Sequence, residues 1–473
     1  MALTQSQEEI LKKIIEAFQN GKRLSDLPMA KGTNPYDLYV EVLDIDGESK
    51  KAKLADMLPY MEDQVAYGIE FDTTVSSPEC TRIGNMSLHR TLPVQSRMRG
   101  CLLDDDGKVV EYLYPTDWRS NIRGGSRGQV MVEIPEHYRR FVTDGTKRRV
   151  MLSEYPLPGY HKVPLCYVSA YEAALERSTR KLCSVVNTAA DYRGGINDAG
   201  YDNTGGSQLG RPVTGHPINT LRTYARNRKP GSVEWNIYTN GMHKTLTWLF
   251  VVEYATLNSQ AAYNAQLTAE GYRQGGLGMG VVDLYYDQWT ALNNNQPVIP
   301  CGFTDTLGNR SGVVSYAIPK EYGEEKSVEV PRYRGIENPF GHCRKFVDGI
   351  IIRAHSTDNI NVYVCDDPAR FNSTDASGYS HVANVGNVAG GKFIREIFFG
   401  ETGELIPKVT VGSNLTYFCD YFDKCEAAGT YCVVVGDGCT GFAGAGLFKQ
   451  DYLRSPEYST QNLGSRLCFI PNN

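Results

Sequence analysis

Apolar residues at helical spacing open the chain. Between residues 3 and 22 they form one stripe, and charged residues such as Glu9 and Lys13 fall outside it, which predicts an amphipathic helix. The apolar stripe needs a partner against which it can be buried. Three alternatives are open: the same helix in other copies of the chain, a docking protein, or the chain's own domain. We predict an oligomerisation role for the residues of this stripe, namely Ile10, Leu11, Ile14, Ile15 and Phe18.

Further along, the apolar positions alternate with a period of two, which is typical of β-strands. Leu38–Leu43 and Glu48–Leu54 flank the turn Asp44–Gly47 and predict a small hairpin. More strands are predicted at 69–71, 102–103, 109–113 and 130–134. The run Asp104–Gly107 is predicted to be a hairpin turn and not a calcium loop, because it lacks the later ligands of an EF-hand.

A helical pattern returns around residues 246–255. Leu246, Leu249, Phe250 and Tyr254 suit one buried face of a helix. Glu253 lies in the same segment, but no histidine or nucleophile stands at a suitable spacing, so we interpret it as structural. Two segments rich in Gly, Asn, Asp and Ser, 191–215 and 358–391, are predicted to be surface loops.

Composition narrows the possible functions. A chain of 473 residues is expected to form two or three domains. A net charge of -5 with a pI near 6.0 argues against electrostatic binding of nucleic acid. The apolar run Trp248–Val252 is too short to insert in a membrane, and no basic-then-apolar segment at the N-terminus predicts a signal peptide.

The chain has twelve cysteines, none of them in a repeated Cys-x-x-Cys pair, so neither a zinc ribbon nor an iron–sulfur site is predicted. Without an export signal most are expected to be free, buried thiols, although one or two disulfides remain open for the five from Cys419 to Cys468. His342 and Cys343 are adjacent and cannot easily face one ion, which favours a structural role. We predict no metal and no cofactor.

The C-terminal segment, residues 429–473, combines many glycines with aromatic and charged side chains. That composition is typical of a recognition surface on a loop-rich scaffold. The alternative is that the aromatic residues are the core of a glycine-rich β-domain. The residues that we predict to contact a ligand are Tyr431, Phe442, Phe448, Lys449, Asp451, Tyr452, Arg454 and Tyr458.

Two motifs in this segment resemble a known family. The run Asn462–Arg466 is similar to the closing Asn-Leu-Gly-Phe-Arg signature of the formylglycine-generating-enzyme branch of C-type-lectin-like folds, with Ser465 in place of Phe. Ala445–Phe448 followed by Gly464–Cys468 resembles phage and prophage ligand-binding proteins of that branch, which are often targets of diversity-generating retroelements. The family places its variable, ligand-facing residues between these two motifs.

The resemblance continues upstream. Val163–Glu172 resembles the family's opening strand, Pro212–Arg226 its first helix, and Trp248–Ala255 its Trp-Glu-Tyr-Ala helix. Asn338–Asp348 resembles the Gly-Asn-Val-Trp-Glu-Trp motif, with Arg344 and Phe346 in place of both tryptophans. The strand-turn-strand unit before residue 60 is similar to short N-terminal modules of phage tail and fibre proteins.

The resemblance implies an α+β fold with a C-type-lectin-like (sulfatase-modifying-factor-like) domain and long loops. It divides the chain into an N-terminal oligomerisation or attachment helix (1–23), a small β attachment module (24–60), a β-rich connecting region (61–160) and the lectin-like ligand-binding domain (161–473).

By this resemblance the chain is expected to be a virion surface fibre or receptor-binding protein of crAss-like or Bacteroides-phage type, assembled in the bacterial host cytoplasm. It would be a homotrimer attached to other virion proteins through its N-terminus, and it would bind a host cell-surface glycan or protein. The alternatives are a capsid decoration, head-fibre or tail component, and a copper-dependent oxidase using Cys432 and Cys439. The family's flanking pattern around its cysteines is absent here, so we expect no enzyme activity.

Overall fold

The structure is a computed structural model that describes residues 39–43, 49–53, 61–282, 294, 296–318 and 326–472. Strands dominate the described residues, so the expected α+β class fits this mostly β fold only loosely. The helices named here are α1 (Leu88–Thr91), α2 (Ile218–Arg226) and α3 (Asn240–Tyr254). The predicted N-terminal helix, with Ile10, Leu11, Ile14, Ile15 and Phe18, lies outside the described residues.

The strands, in chain order, are β1 (Tyr39–Leu43), β2 (Ser49–Lys53), β3 (Ala66–Asp72), β4 (Thr81–Gly84), β5 (Arg99–Leu103), β6 (Val109–Tyr112), β7 (Gln129–Ile134), β8 (His137–Asp144), β9 (Lys147–Ser153), β10 (His161–Val163), β11 (Cys166–Ser169), β12 (Ala174–Glu176), β13 (Lys181–Cys183), β14 (Trp235–Ile237), β15 (Gly312–Ala317), β16 (Ser327–Tyr333), β17 (Ile336–Glu337), β18 (Arg344–Ser356), β19 (Asn359–Val364), β20 (Ser380–Asn384), β21 (Lys392–Phe393), β22 (Glu396–Ile397), β23 (Pro407–Val409), β24 (Tyr421–Asp423), β25 (Gly429–Gly436), β26 (Gly446–Arg454), β27 (Leu463–Gly464) and β28 (Leu467–Phe469).

Three larger sheets organise these strands. A five-stranded sheet has the order β10-β8-β9-β3-β4, and a six-stranded sheet has the order β14-β28-β11-β7-β5-β6. The largest sheet runs β20-β19-β18-β25-β26-β24-β21, with β27 parallel to β18. The six-stranded sheet joins strands from both sides of residue 160, because β7 pairs with β11. The predicted bounds at 160 and 161 therefore do not follow the sheets.

Helix α3 lies between two of the sheets, in contact with β3, β9 and β18. Thr239 begins it by accepting a hydrogen bond from the Met242 amide at 3.1 Å, and Ala255 ends it in the left-handed conformation. The sequence predicted one buried face, but every residue of α3 except Gly241 is buried. A helix that is enclosed on all sides needs no polar stripe, which is why a one-face pattern described it poorly.

Several local predictions are confirmed. The hairpin β1-β2 forms, and strands occur at the four predicted sites between residues 69 and 134. The Asp104 turn closes through a hydrogen bond from the Gly107 amide to the Asp104 carbonyl at 3.0 Å. All twelve cysteines are free thiols, and all but Cys80 are buried.

One loop prediction is wrong. The segment 358–391 contributes β19 and β20, the outer strands of the largest sheet, because its alternating run Asn359–Val364 pairs with β18. Among the described residues, no helix is long and apolar enough to cross a membrane.

Candidate ligand-binding surface

Strands β25 and β26 lie in the middle of the largest sheet, paired antiparallel with each other. Successive side chains of a strand point to opposite faces. On β26 this places Phe448 and Tyr452 in the core, where Phe448 contacts Trp248 and Tyr452 contacts Phe422 edge to face. Lys449 and Asp451, which alternate with them, take part in ion pairs on the other face.

The start of β26 depends on Gly446, whose φ of +146° is rarely adopted by other residues. A Cβ at Gly446 would lie 2.1 Å from the Asp420 carboxylate, so the glycine also provides space. The Asp420 carboxylate accepts a hydrogen bond from the Phe448 amide at 2.7 Å, and burial raises its pKa well above the usual range. Asp420 therefore helps to fix the entry of β26 from inside the protein.

Six charged side chains form a continuous network on the outer face of β26, which we call the charge chain: Asp423, Lys449, Asp437, Arg344, Asp451 and Arg454. Lys449 pairs with Asp423, and its Nζ lies 3.8 Å from Asp437 Oδ2. Arg344 lies 3.3 Å from Asp437 and 3.9 Å from Asp451. Arg454 Nε closes the network at 2.9 Å from Asp451. Cations and carboxylates thus alternate along its whole length.

A tyrosine ring stands at each end of the charge chain. Lys449 Nζ lies 5.3 Å from the centre of the Tyr421 ring, and Arg454 Cζ lies 4.8 Å from the centre of the Tyr458 ring. Both distances suit a cation–π contact. Phe442, which is 38% exposed, lies nearby on the loop between β25 and β26. The surface therefore presents aromatic rings that are anchored by charges.

Exposure differs along the charge chain. The Lys449 side chain is only 3% exposed, whereas Arg344 and Arg454 are 20% and Asp423 is 29% exposed. Burial alone would raise the pKa of Asp437, but Lys449 and Arg344 hold it below its usual range. Burial likewise disfavours the charged form of Arg344, yet Asp437 and Asp451 raise its pKa. Asp437 and Arg344 therefore stay ionised although they are partly withdrawn from water.

The structure corrects half of the predicted contact residues. Phe448 and Tyr452 are fully buried in the core, where they cannot touch a ligand, and Lys449 and Asp451 are buried beneath the surface. Arg454, Tyr458 and Phe442 do reach it. Tyr431 is half-buried against the main core, and its hydroxyl donates to the Ala427 carbonyl, so it lies outside the charge chain.

Sequence reasoning missed four members of this surface: Tyr421, Asp423, Asp437 and Arg344. Asp437 directly follows the apolar strand β25, and Arg344 begins β18. Arg344 had already stood out as a charged residue where the resembling motif has tryptophan. A charge at that strand position was the signal that would have identified it.

The closing motif Asn462–Arg466 has a structural role next to this surface. Strand β27 pairs with Arg344 and Lys345 of β18. Arg466 is buried and donates to the backbone carbonyls of Ser169, Glu337 and Asn338. Ser465 donates to the Phe346 carbonyl at 2.9 Å. The motif therefore fixes the position of the strand that carries Arg344.

A second ionic group lies in the interior, and we call it the sealed triad: Glu172, His342 and Lys345. Lys345 Nζ lies 2.7 Å from one oxygen of Glu172, and His342 Nδ1 lies 2.6 Å from the other. The amides of Val298 and Ile299 both donate to His342 Nε2 at 3.1 Å, so Nδ1 carries the proton and donates to Glu172. All three side chains are buried.

Glu172, His342 and Cys343 bring their potential ligand atoms within 4.8 Å of one another, which raises the question of a metal. Their chemistry does not fit one. Both nitrogens of His342 are used in hydrogen bonds, the Lys345 ammonium occupies Glu172, and burial raises the pKa of Cys343 well above its usual range. A metal needs a free imidazole nitrogen and a thiolate. The geometry supports the structural interpretation of His342 and Cys343.

The two cysteines of the oxidase alternative are placed apart. Cys432 and Cys439 are both buried, in different hydrophobic clusters. Burial raises the pKa of each thiol to about 12. Copper requires a pair of neighbouring thiolates, so this arrangement does not favour a copper site. Glu253 is likewise occupied, because it pairs with Arg334 and accepts a hydrogen bond from the Tyr333 hydroxyl.

Comparison with known proteins gives little. No protein-family model and no curated protein matches this chain. Among solved structures it is similar to the Major Tropism Determinant U1 variant and I1 variant, at 9% and 10% sequence identity. Each match covers 91% of this chain and 91% of the other, with a TM-score of 0.21. A similarity at that TM-score carries no argument about fold or function.

Proposed function

We propose that this chain is a bacteriophage virion-surface protein that binds a host cell-surface glycan or protein. The observation that carries the proposal is the charge chain, a partly open row of alternating charges with a tyrosine at each end. Its members Lys449, Asp451 and Arg454, and Tyr458 at its end, all lie between the two motifs that resemble the closing motifs of phage ligand-binding proteins. In that family this segment faces the ligand.

Binding at such a surface would combine aromatic stacking with charge-assisted hydrogen bonds. Each cation of the charge chain already has a carboxylate partner, so a ligand would add hydrogen bonds to groups that are held in place. Side chains that are already ordered lose little conformational entropy on binding. The arrangement suits a polar ligand, such as a glycan or a polar protein surface, better than an apolar one.

Attachment and assembly belong to the same proposal. The predicted helix of residues 3–22 and the hairpin module would join the protein to other virion components and support a homotrimer. Three linked copies would convert weak single-site binding into strong attachment through avidity. The proposal includes the C-type-lectin-like assignment of the C-terminal part and involves no catalysis.

The test is binding of the fluorescently labelled protein to intact cells from a panel of bacterial strains. The double variant Arg454→Ala, Tyr458→Ala removes the outer end of the charge chain. The matched control is Arg99→Ala, Tyr112→Ala, which removes another surface cation–π pair, with 3.5 Å between Arg99 Cζ and the Tyr112 ring centre. Circular dichroism establishes that both variants fold.

We expect saturable binding to some strains, lost in the folded Arg454/Tyr458 variant and retained in the Arg99/Tyr112 control. Loss in both variants would place the site elsewhere. Absence of binding to every strain would contradict the adhesin proposal and favour a structural head or tail component, for which contacts inside the particle replace contacts with a host.

A further inference from the structure

A cavity of about 360 Å³ opens between the β8-β9 hairpin and the β22-β23 hairpin, and none of the residues that line it belongs to the charge chain. Its volume is at the small end of the range for small-molecule sites, roughly 300–1,000 Å³. The side chains that decide its chemistry are Thr143, Arg148, Phe398, Thr402, Glu404 and Lys408.

Two cations line this cavity, and the carboxylate that they share does not. Glu396 Oε1 is 2.7 Å from Lys408 Nζ and 3.5 Å from Arg148, and Glu396 does not line the cavity. Two positive charges therefore share one negative charge, which leaves an excess of one positive charge at the wall. Arg148 is buried and fixed by hydrogen bonds to the carbonyls of Gly145 and Lys147. A guanidinium has five N–H donors, so donors remain for a ligand.

Glu404 adds a hydrogen-bond acceptor to this cavity, which the two cations also line. It is 6% exposed, and its Oε1 accepts hydrogen bonds from Lys244 at 2.6 Å and from the Thr402 hydroxyl at 2.8 Å. Its Oε2 is buried and has no donor among the residues that the structure describes. A buried acceptor without a donor is costly, so a ligand that supplies one would be favoured. Because Lys244 already balances the charge of Glu404, a neutral hydroxyl suffices.

The apolar wall of the cavity packs against the main hydrophobic core. Phe398 is half-buried beside Phe399, whose ring packs edge to face against Trp248 and Phe141 at 5.5 and 5.4 Å between ring centres. Gly403 permits this packing, because a Cβ there would lie 2.2 Å from the Phe141 ring. A ring with an apolar face would therefore meet a preformed wall.

We infer that this cavity is a second binding site, for an acidic sugar. The ligand's carboxylate pairs with Arg148 and Lys408, a hydroxyl donates to Glu404, and the C–H face of the ring packs against Phe398. Phosphate fits less well, because its larger negative charge would face Glu404. The site is separate from the charge chain, so it stands or falls independently of the proposed function.

The test is ligand-observed saturation-transfer NMR with the full chain and four probes. These are a methyl glucuronoside, the neutral methyl glucoside of the same shape, acetate and inorganic phosphate. We expect the glucuronoside to bind. The glucoside lacks the carboxylate, and acetate lacks the sugar ring with its hydroxyls, so each of them should bind at least about tenfold more weakly. Equal binding of the glucoside, or phosphate binding as tight as the glucuronoside, would overturn the assignment, as would no binding of the glucuronoside.

Two variants locate the site. Lys408→Gln removes one cation from an exposed side chain, and Thr143→Asp adds a negative charge at an exposed position of the wall. We expect a loss of about tenfold or more in glucuronoside affinity from each. Lys392→Gln, an exposed lysine outside the cavity, is the control and should bind as the unmodified protein does. Unchanged affinity in both cavity variants would refute the inference.

Discussion

Arg344 and Lys345 are neighbours on β18, yet they belong to two opposite environments. Arg344 joins the charge chain on the outer face, and its side chain is 20% exposed. Lys345 joins the sealed triad, and its side chain is completely buried. The pleat of one strand separates them, because successive side chains point to opposite sides. Two ionic networks, one partly open and one closed, therefore meet at a single peptide bond.

The comparison shows that an ion pair's surroundings, more than its chemistry, decide what it can do. In the sealed triad, burial alone would raise the pKa of Glu172, but Lys345 and His342 lower it to about 2. Lys345 and His342 both contact Glu172, so the triad depends on this one shared carboxylate. In the charge chain, Asp437 and Asp451 each contact two cations, so no single partner is essential. The first arrangement maintains the fold, and the second is the one that we propose exchanges contacts with a ligand.

The largest expected effect comes from breaking the sealed triad. Lys345→Ala leaves the buried Glu172 without its ammonium partner, and removing one partner of a buried pair typically costs about 3–5 kcal/mol. Arg344→Ala leaves Asp437 with Lys449 and Asp451 with Arg454, so we expect about 1 kcal/mol or less. Urea denaturation measures both. Equal losses of unfolding free energy in the two variants would show that the sealed triad is no more sensitive to the loss of a partner than the charge chain.

The two tyrosines near the end of β26 give a similar contrast. Tyr452→Ala removes a fully buried ring that packs on Phe422, and we expect a loss of about 3–5 kcal/mol. Tyr458→Ala removes a half-buried ring, and we expect a smaller loss, about 1 kcal/mol. Thermal unfolding of both variants checks this order. A Tyr452→Ala protein as stable as the parent would restore the original prediction that Tyr452 lies on the surface.

An interior carboxyl outside the triad provides a pH test. Burial and the charge of Asp305 raise the pKa of Glu337 from 4.5 to about 7. The folded protein therefore keeps this proton between pH 4.5 and 7, where the unfolded chain loses it. Through this group, the free energy of unfolding falls as pH rises across that window, by at most about 1.4 kcal/mol per pH unit. The unfolding free energy of the Glu337→Gln variant should lack this pH-dependent contribution. Identical pH slopes for the variant and the unmodified protein would show that Glu337 makes no such contribution.

The smallest expected effect separates charge from geometry at the outer end of the charge chain. Arg454→Lys keeps the positive charge beside Asp451 but replaces the planar group that stacks on Tyr458. We expect binding to receptive cells to weaken by about two- to fivefold, because stacking and the fixed donor geometry are lost. A titration of labelled protein on those cells measures it. Binding as weak as that of Arg454→Ala would mean that stacking carries all of the contribution.

The sequence predicted local elements well. Alternation located β3, β5, β6 and β7, and turn residues located the bend at Asp104. Helical spacing located α3 but not its complete burial, because a helix covered by sheets on both sides is determined by its neighbours and not by its own pattern.

The candidate surface was harder to predict. Composition indicated the C-terminal segment, but it could not tell Tyr452 in the core from Tyr458 at the surface, since both are tyrosines. Strict alternation along β26 would have divided Phe448 and Tyr452 from Lys449 and Asp451. The partners Arg344 and Asp437 stand 93 residues apart, and only the pairing of β18 with β25 brings them together. The local pattern of apolar and polar residues does not predict such long-range pairing of strands.

The most direct measurement is the binding of Arg344→Ala to a bacterial strain that the unmodified protein binds, with its unfolding free energy measured in parallel. Arg344 links both halves of the charge chain and lies outside the C-terminal segment that composition indicated. We expect at least about tenfold weaker binding with nearly unchanged stability. Undiminished binding by this folded variant would contradict the claim that the charge chain is the receptor-binding surface.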